Sequence, residues 1–138
     1  MSWDPLVNCS HTDIGEITRN ILLHLIDSIV LFGGYSSPVL NRHYGYDASF
    51  VSNVEGATED KDLKKILIRD LQVDAENITD GCLELVRWAC SVVAKRAASL
   101  AACAIAAVIM HTGNDKTPEG EDDTGVDVGI DGRCVERY

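Results

Sequence analysis

Apolar residues recur at Ile14, Ile17, Ile21, Leu22, Leu25, Ile26, Ile29 and Val30, steps of three and four that lay one apolar stripe along a helix from Ile14 to Phe32. Gly33-Gly34 ends it, because glycine takes the left-handed conformation in which helices close. Ser36-Ser37-Pro38 then opens a turn or short helix, since proline is tolerated in a first helical turn but not within one. Tyr44 to Tyr46 reads as irregular, and Phe50 to Glu55 alternates weakly, as a strand or an extended link. Thr58 or Asp60 caps a second helix running to about Leu71, with Leu63, Ile66, Leu67 and Leu71 inward and Lys61, Lys64, Lys65 and Arg69 in water.

After a turn from Asp74 to Thr79 the helical period resumes at Asp80. It continues through Leu83, Val86, Cys90, Val93, Ala97, Leu100, Ala104 and Val108 to about His111. This is expected to be a long, well buried helix, kinked or in two pieces, and ended by Gly113. Residues 114–125, rich in Asp, Glu, Thr and Gly, read as a mobile acidic loop. Val126, Val128 and Ile130 then alternate with Asp127, Gly129 and Asp131, and Cys134-Val135 follows a turn at Gly132, which predicts a hairpin. The expected class is mainly α with a C-terminal β-hairpin. A lone hairpin is marginal in water and this one has no other sheet to join, so the chain reads as cut from something larger.

The length of 138 residues suffices for one domain with a core, and 12 basic against 22 acidic residues give a formal charge of -10. A phosphate backbone or anionic bilayer is repelled by that field, so nucleic acid is not an expected partner. The uncharged run Ala97 to Met110 is shorter than the roughly 20 residues of a membrane helix. It reads as a buried helix rather than a membrane span. No basic segment leads into an apolar one near Met1, and a cytoplasmic chain is expected.

Cys9, Cys82, Cys90, Cys103 and Cys134 are odd in number and form no C-x-x-C pair, which argues against a disulfide framework or a zinc site. The same holds for His11, His24, His43 and His111, which lack metal spacing. Ser99 and Cys103 share a helix face without an identifiable base, a poor setting for a nucleophile. Trp88 reads as a core or interface residue.

Several segments, in order, resemble the hexokinase family. Ile14-Gly15-Glu16-Ile17 with Arg19-Asn20-Ile21-Leu22 resembles the family's Leu-Gly-Glu-Ile-x-Arg-x-Ile-Leu helix, and Leu31-Phe32-Gly33-Gly34 the turn after it. Phe50-Val51-Ser52 with Val54-Glu55 is similar to the segment before the family's nucleotide-side loop. Arg87-x-x-Cys90 and Lys95-Arg96-Ala97-Ala98-x-Leu100 resemble its second connecting helix, and Val128-Gly129-Ile130-Asp131-Gly132 its adenosine motif. The ending Cys-Val-Glu-Arg-Tyr is similar to the fungal glucokinase branch. The resemblance covers residues 14–138, leaves residues 1–13 unmatched, and assigns the matched part to the end of the family's large domain.

The resemblance implies ATP-dependent phosphorylation of a hexose at its 6-hydroxyl, with Mg2+, on a two-lobed ribonuclease-H-like (actin-like ATPase) α/β fold that closes over the sugar. It places Thr58 at the family's phosphate-contacting threonine, an ordinary N-cap being the competing reading. It also places the backbone of Gly129 and Gly132 against adenine or ribose and counts Asp131 and Arg133 among the nucleotide-side positions, a plain turn being the alternative for Asp131-Gly132. Arg133 stands where the family has serine, where its cationic side chain either pairs with phosphate or blocks the pocket. His11 and Thr12 replace the residues before the family's Gly-Glu helix, and the sequence stops at Tyr138 before the family's usual Pro-x-Phe. The sequence contains no Asp-x-Gly-Gly-Thr or Gly-Thr-Gly-x-Asn phosphate loop, no sugar segment with a catalytic aspartate, and no Glu-Trp-Gly. No catalytic residue is therefore assigned, and these residues alone are expected to be inactive. The alternative is a non-catalytic helical interaction module derived from a hexokinase, able to self-associate through exposed apolar surface.

Overall fold

A computed structural model describes residues 11–47, 49–113 and 126–129. Helix α1 spans His11–Asp27 and turns Ile14, Leu22 and Ile26 into the core. It ends five residues before Phe32, and without glycine. Ile29 takes φ 59°, its N–H donates to the Ile26 carbonyl at 2.8 Å, and the Val30 N–H reaches back to the Leu25 carbonyl at 3.0 Å. These two bonds make a Schellman closure around a β-branched residue. Gly33 and Gly34 act in the next turn instead, a single 3-10 turn over Phe32–Gly34 in which Phe32, Gly33 and Gly34 all have positive φ.

Helix α2, Pro38–Asn41, has the expected proline in its first turn, and the Ser37 hydroxyl accepts from the Leu40 N–H at 3.2 Å. Helix α3, Ser49–Gly56, corrects the extended reading of this segment. Phe50, Val51 and Val54 are one turn apart and all fully buried, so packing outweighs the strand preference of two valines. The Asp47 carboxylate accepts from the Ser49 N–H at 3.1 Å and helps start the turn.

Helix α4, Asp60–Asp70, buries Leu63 and Leu67 and leaves Lys61, Lys65 and Arg69 exposed, as its pattern requires. Its N-cap is Glu59, which makes no side-chain cap bond, rather than Thr58 or Asp60. Leu71 and Val73 complete this side of the core.

Helix α5 is one unbroken helix, Asp80–Thr112, capped by the Thr79 hydroxyl and closed by Gly113 at φ 74°. Neither kink nor break divides its length of about 50 Å. Its buried residues, Cys82, Leu83, Val86, Ala89, Cys90 and Val93, all lie in the first half, against which α1, α3 and α4 pack. From Ala98 onward nearly every residue is exposed, including Leu100, Val108 and Met110, so the expectation of a helix buried throughout fails for this half. By length and composition alone α5 is long and apolar enough to cross a membrane.

No strand occurs among the described residues. Val126–Gly129 is exposed irregular chain beside the end of α5. The expected acidic loop 114–125 and the rest of the expected hairpin lie outside the described residues.

Candidate functional site

The connection between α3 and α4 carries Thr58. Ala57 is buried, whereas Thr58 and Glu59 are exposed, and the Thr58 hydroxyl has no hydrogen-bond partner among the described residues. The extended Glu59 leads directly into α4, whose first turn receives no side-chain cap. Such a turn presents backbone N–H groups and a partial positive charge to an approaching anion. Glu59 and Asp60 flank it with carboxylates that oppose a bare phosphate, and Asp62 in the same turn is paired with Lys65 Nζ at 2.7 Å. The turn thus offers a hydroxyl and backbone amides to an anion whose charge a cation offsets. Among the described residues no three His, Cys, Asp or Glu side chains cluster as a metal cage.

Asp60 is not left as a bare charge. Arg87, from the buried half of α5, donates through Nη1 to the Ala57 carbonyl and through Nη2 to Asp60 Oδ1 at 3.2 Å. Val54, Glu55, Arg87 and Ser91 line a shallow cleft of about 310 Å3 alongside. Sequence reasoning cited Arg87 only as part of a motif. Its one visible signal is an arginine next to Val86 on the half of α5 that packs into the core.

A second polar cluster ties α1 to the chain after α2. Arg19, 3% exposed, donates to both carboxylate oxygens of Glu16 at 2.8 and 2.5 Å and to the Leu40 carbonyl at 2.7 Å. The Glu16 carboxylate also accepts from the Tyr44 N–H at 2.9 Å. These bonds, chiefly those from Arg19, outweigh partial burial and hold the Glu16 carboxyl down at about 2. Every strong donor here is used, so the cluster is a structural clamp rather than a reactive centre.

Tyr46 and Cys90 lie deeper. The Tyr46 ring packs on Phe50 with centroids 4.8 Å apart, and its hydroxyl is buried without a partner. Burial pushes the Tyr46 phenol far above its ordinary range and the Cys90 thiol up to about 12, so both stay protonated and unreactive at neutral pH.

Of the residues singled out for a nucleotide, Thr58 and Gly129 are described, and they are not brought together. Gly129 lines a cleft with Ala104, Ile105, Val108, Ile109 and Thr112. Ala104 stands about 25 Å along the helix from Arg87, the residue that marks the Thr58 end. Asp131, Gly132 and Arg133 lie outside the described residues.

A family model described as hexokinase matches residues 10–138. The chain is 32% identical to a glucokinase of Aspergillus niger over 136 residues, which is 91% of this chain and 26% of that protein. It is 30% identical to hexokinase-3 of Mus musculus over 119 residues and 34% identical to hexokinase-1 of Homo sapiens over 123, in each case 86% of this chain and 12% of the relative. The chain thus spans about a quarter of the length of the glucokinase and about an eighth of the two hexokinases.

Proposed function

We propose a function from one premise: this chain belongs to the hexokinase family. The reading is ATP-dependent phosphorylation of a hexose such as glucose, in which these residues serve the nucleotide side. Membership carries the reaction class, and the match over residues 10–138 is the observation on which it rests. Thr58 and the uncapped first turn of α4 take the terminal phosphates, with Mg2+ offsetting the carboxylate of Glu59, while Asp62 is paired with Lys65. The bound nucleotide supplies the phosphoryl group. This chain's part is to orient and neutralise it, since phosphoryl transfer depends chiefly on positioning and charge stabilisation.

Gly129, Asp131, Gly132 and Arg133 belong to the adenosine end of this reading. With Gly129 beside the last turns of α5, they reach the same nucleotide only when the segment from Val126 leaves that cleft and approaches the Thr58 end. Their assignment is supported by the family motif they match, Thr58 by that match and by its setting.

The 138 residues contain no candidate catalytic aspartate segment and neither phosphate loop, so on their own they are expected to form no hexose 6-phosphate. A coupled assay with MgATP and glucose, fructose or mannose checks this. Turnover abolished by a single substitution within these residues would overturn the division of labour proposed here. The exposed apolar half of α5 favours a second reading, a helical module that binds a protein partner or its own copy. A concentration-dependent dimer, with no response to ATP, would favour it over the first.

A further inference from the structure

Two features of the Thr58 connection need an explanation that the nucleotide reading does not supply. It is exposed and uncapped, yet it is fixed at both ends by a residue far away in sequence. The Arg87 guanidinium bonds the Ala57 carbonyl, immediately before Thr58, and the Asp60 carboxylate, two residues after it. A planar fork engaged at both η nitrogens fixes its acceptors relative to each other in a way a lysine ammonium does not. Arg87 itself stands on the half of α5 that packs into the core, between the buried Val86 and the neighbouring Ala89 and Cys90. The rigid part of the molecule thereby sets where Thr58 and the first turn of α4 stand.

We propose that Arg87 is the positioning residue of the phosphate end: it holds the Ala57 to Asp60 bridge in the conformation that receives the nucleotide, and it neutralises Asp60 beside the incoming anion. The proposal rests on the nucleotide reading of Thr58 given above. Arg87 acts through the bridge: one N–H of each η nitrogen is engaged by a protein acceptor, on Ala57 before Thr58 and on Asp60 after it. Without it the exposed residues Thr58 and Glu59 would be ordered only on binding, and ordering costs affinity. The carboxylate of Asp60 would also join that of Glu59 in opposing the anion.

The test is heteronuclear NMR on the 15N-labelled chain, reading backbone order at Thr58 and Glu59 without ligand, and MgATP affinity from amide shifts. Arg87→Gln is expected to raise fast motion at Thr58 and Glu59 and to weaken MgATP about tenfold, with Leu22 and Leu63 amides unmoved. Arg87→Lys should keep the charge, yet recover only part of the order and affinity. Should Arg87→Gln fail to fold, Arg87→Lys carries the same comparison, and the exposed Asp60→Asn is read for order at Thr58 and Glu59 alone, because it also removes a charge that opposes the anion. Thr58→Ala should weaken MgATP while leaving the order of the bridge intact, which tests the nucleotide reading separately. If Thr58→Ala weakens MgATP but the Arg87 variants change neither order nor affinity, or change only one of them, the positioning role is wrong. If wild-type chain and Thr58→Ala respond to MgATP alike, or not at all, the nucleotide reading falls and the proposal falls with it.

Discussion

Glu16 and Arg19, one turn apart on α1, form a two-bond ion pair whose guanidinium is almost entirely buried and whose carboxylate also accepts the Tyr44 N–H. The pair therefore joins three parts of the chain: α1, the Leu40 carbonyl at the end of α2, and the turn at Tyr44. Removing one partner leaves the other's charge uncompensated, a larger loss than the pair's own net worth.

Its pH dependence follows from the depressed Glu16 value of about 2 against an ordinary 4.5. A carboxyl whose folded value lies below its unfolded one adds stability that is complete above about 4.5 and lost as pH falls toward 2. Allowing for solvent screening at this partly accessible pair, the contribution is about 1–2 kcal/mol. Urea unfolding of wild type and Glu16→Gln at pH 7, 4 and 3 checks this. The gap between them should be widest at pH 7 and narrow on acidification, and a gap that widened in acid would contradict the assignment.

Ile29 occupies the left-handed closing position of α1 with its side chain 73% exposed. A β-branched residue pays steric strain there that glycine does not. Ile29→Gly is expected to stabilise the chain by about 1 kcal/mol in thermal or urea unfolding. A loss of stability would mean that the exposed isoleucine makes contacts the closure depends on.

Gly45 and Gly56 should respond oppositely to alanine. A Cβ on Gly45 would stand 2.0 Å from the Val39 carbonyl oxygen and 2.9 Å from that of Arg42, both backbone atoms, whereas one on Gly56 meets nothing within 4 Å. Gly45→Ala is therefore expected to cost about 2 kcal/mol or more, and Gly56→Ala to be neutral or stabilising by about 0.5 kcal/mol. Circular dichroism melts of the two variants decide the matter, and equal effects would contradict the close approach at Gly45.

Thiol chemistry reports on α5. Cys103 is exposed in the second half, while Cys82 and Cys90 are buried in the first. Brief alkylation followed by peptide mapping should label Cys103 well before Cys90, whose thiol is also held protonated by burial. Protection of Cys103 in the folded chain would show that this half of the helix is covered.

Much of this architecture was legible in the chain. Regular spacing of large aliphatics marked α1, α4 and the start of α5, and Gly113 marked the end of α5. The segment Phe50 to Glu55 was misread because two valines and a phenylalanine carry strand preference, and only their burial on one turn decides for helix. The exposure of α5 beyond Ala97 was not legible, since a run of alanine, isoleucine and valine reads alike whether or not anything covers it. Thr58 was legible as a helix-start residue, although Glu59 is the cap. The part played by Arg87 was hidden, because its acceptors lie 30 and 27 residues away and one of them is a backbone carbonyl, which leaves no mark in the side-chain pattern.

The nucleotide assignment is tested most directly by titrating the 15N-labelled chain with MgATP while following the amides of Thr58 to Lys61. With Gly129 beside the last turns of α5 and neither phosphate loop among these residues, binding is expected to be weak, in the millimolar range or about -4 kcal/mol. The expected result is saturable shifts at Thr58, Glu59 and Lys61 that are lost or strongly weakened in Thr58→Val, with the core amides of Leu22 and Leu63 unmoved. Saturation without any response at these four residues, or a response unchanged in Thr58→Val, would contradict the placement of the phosphate end at the start of α4.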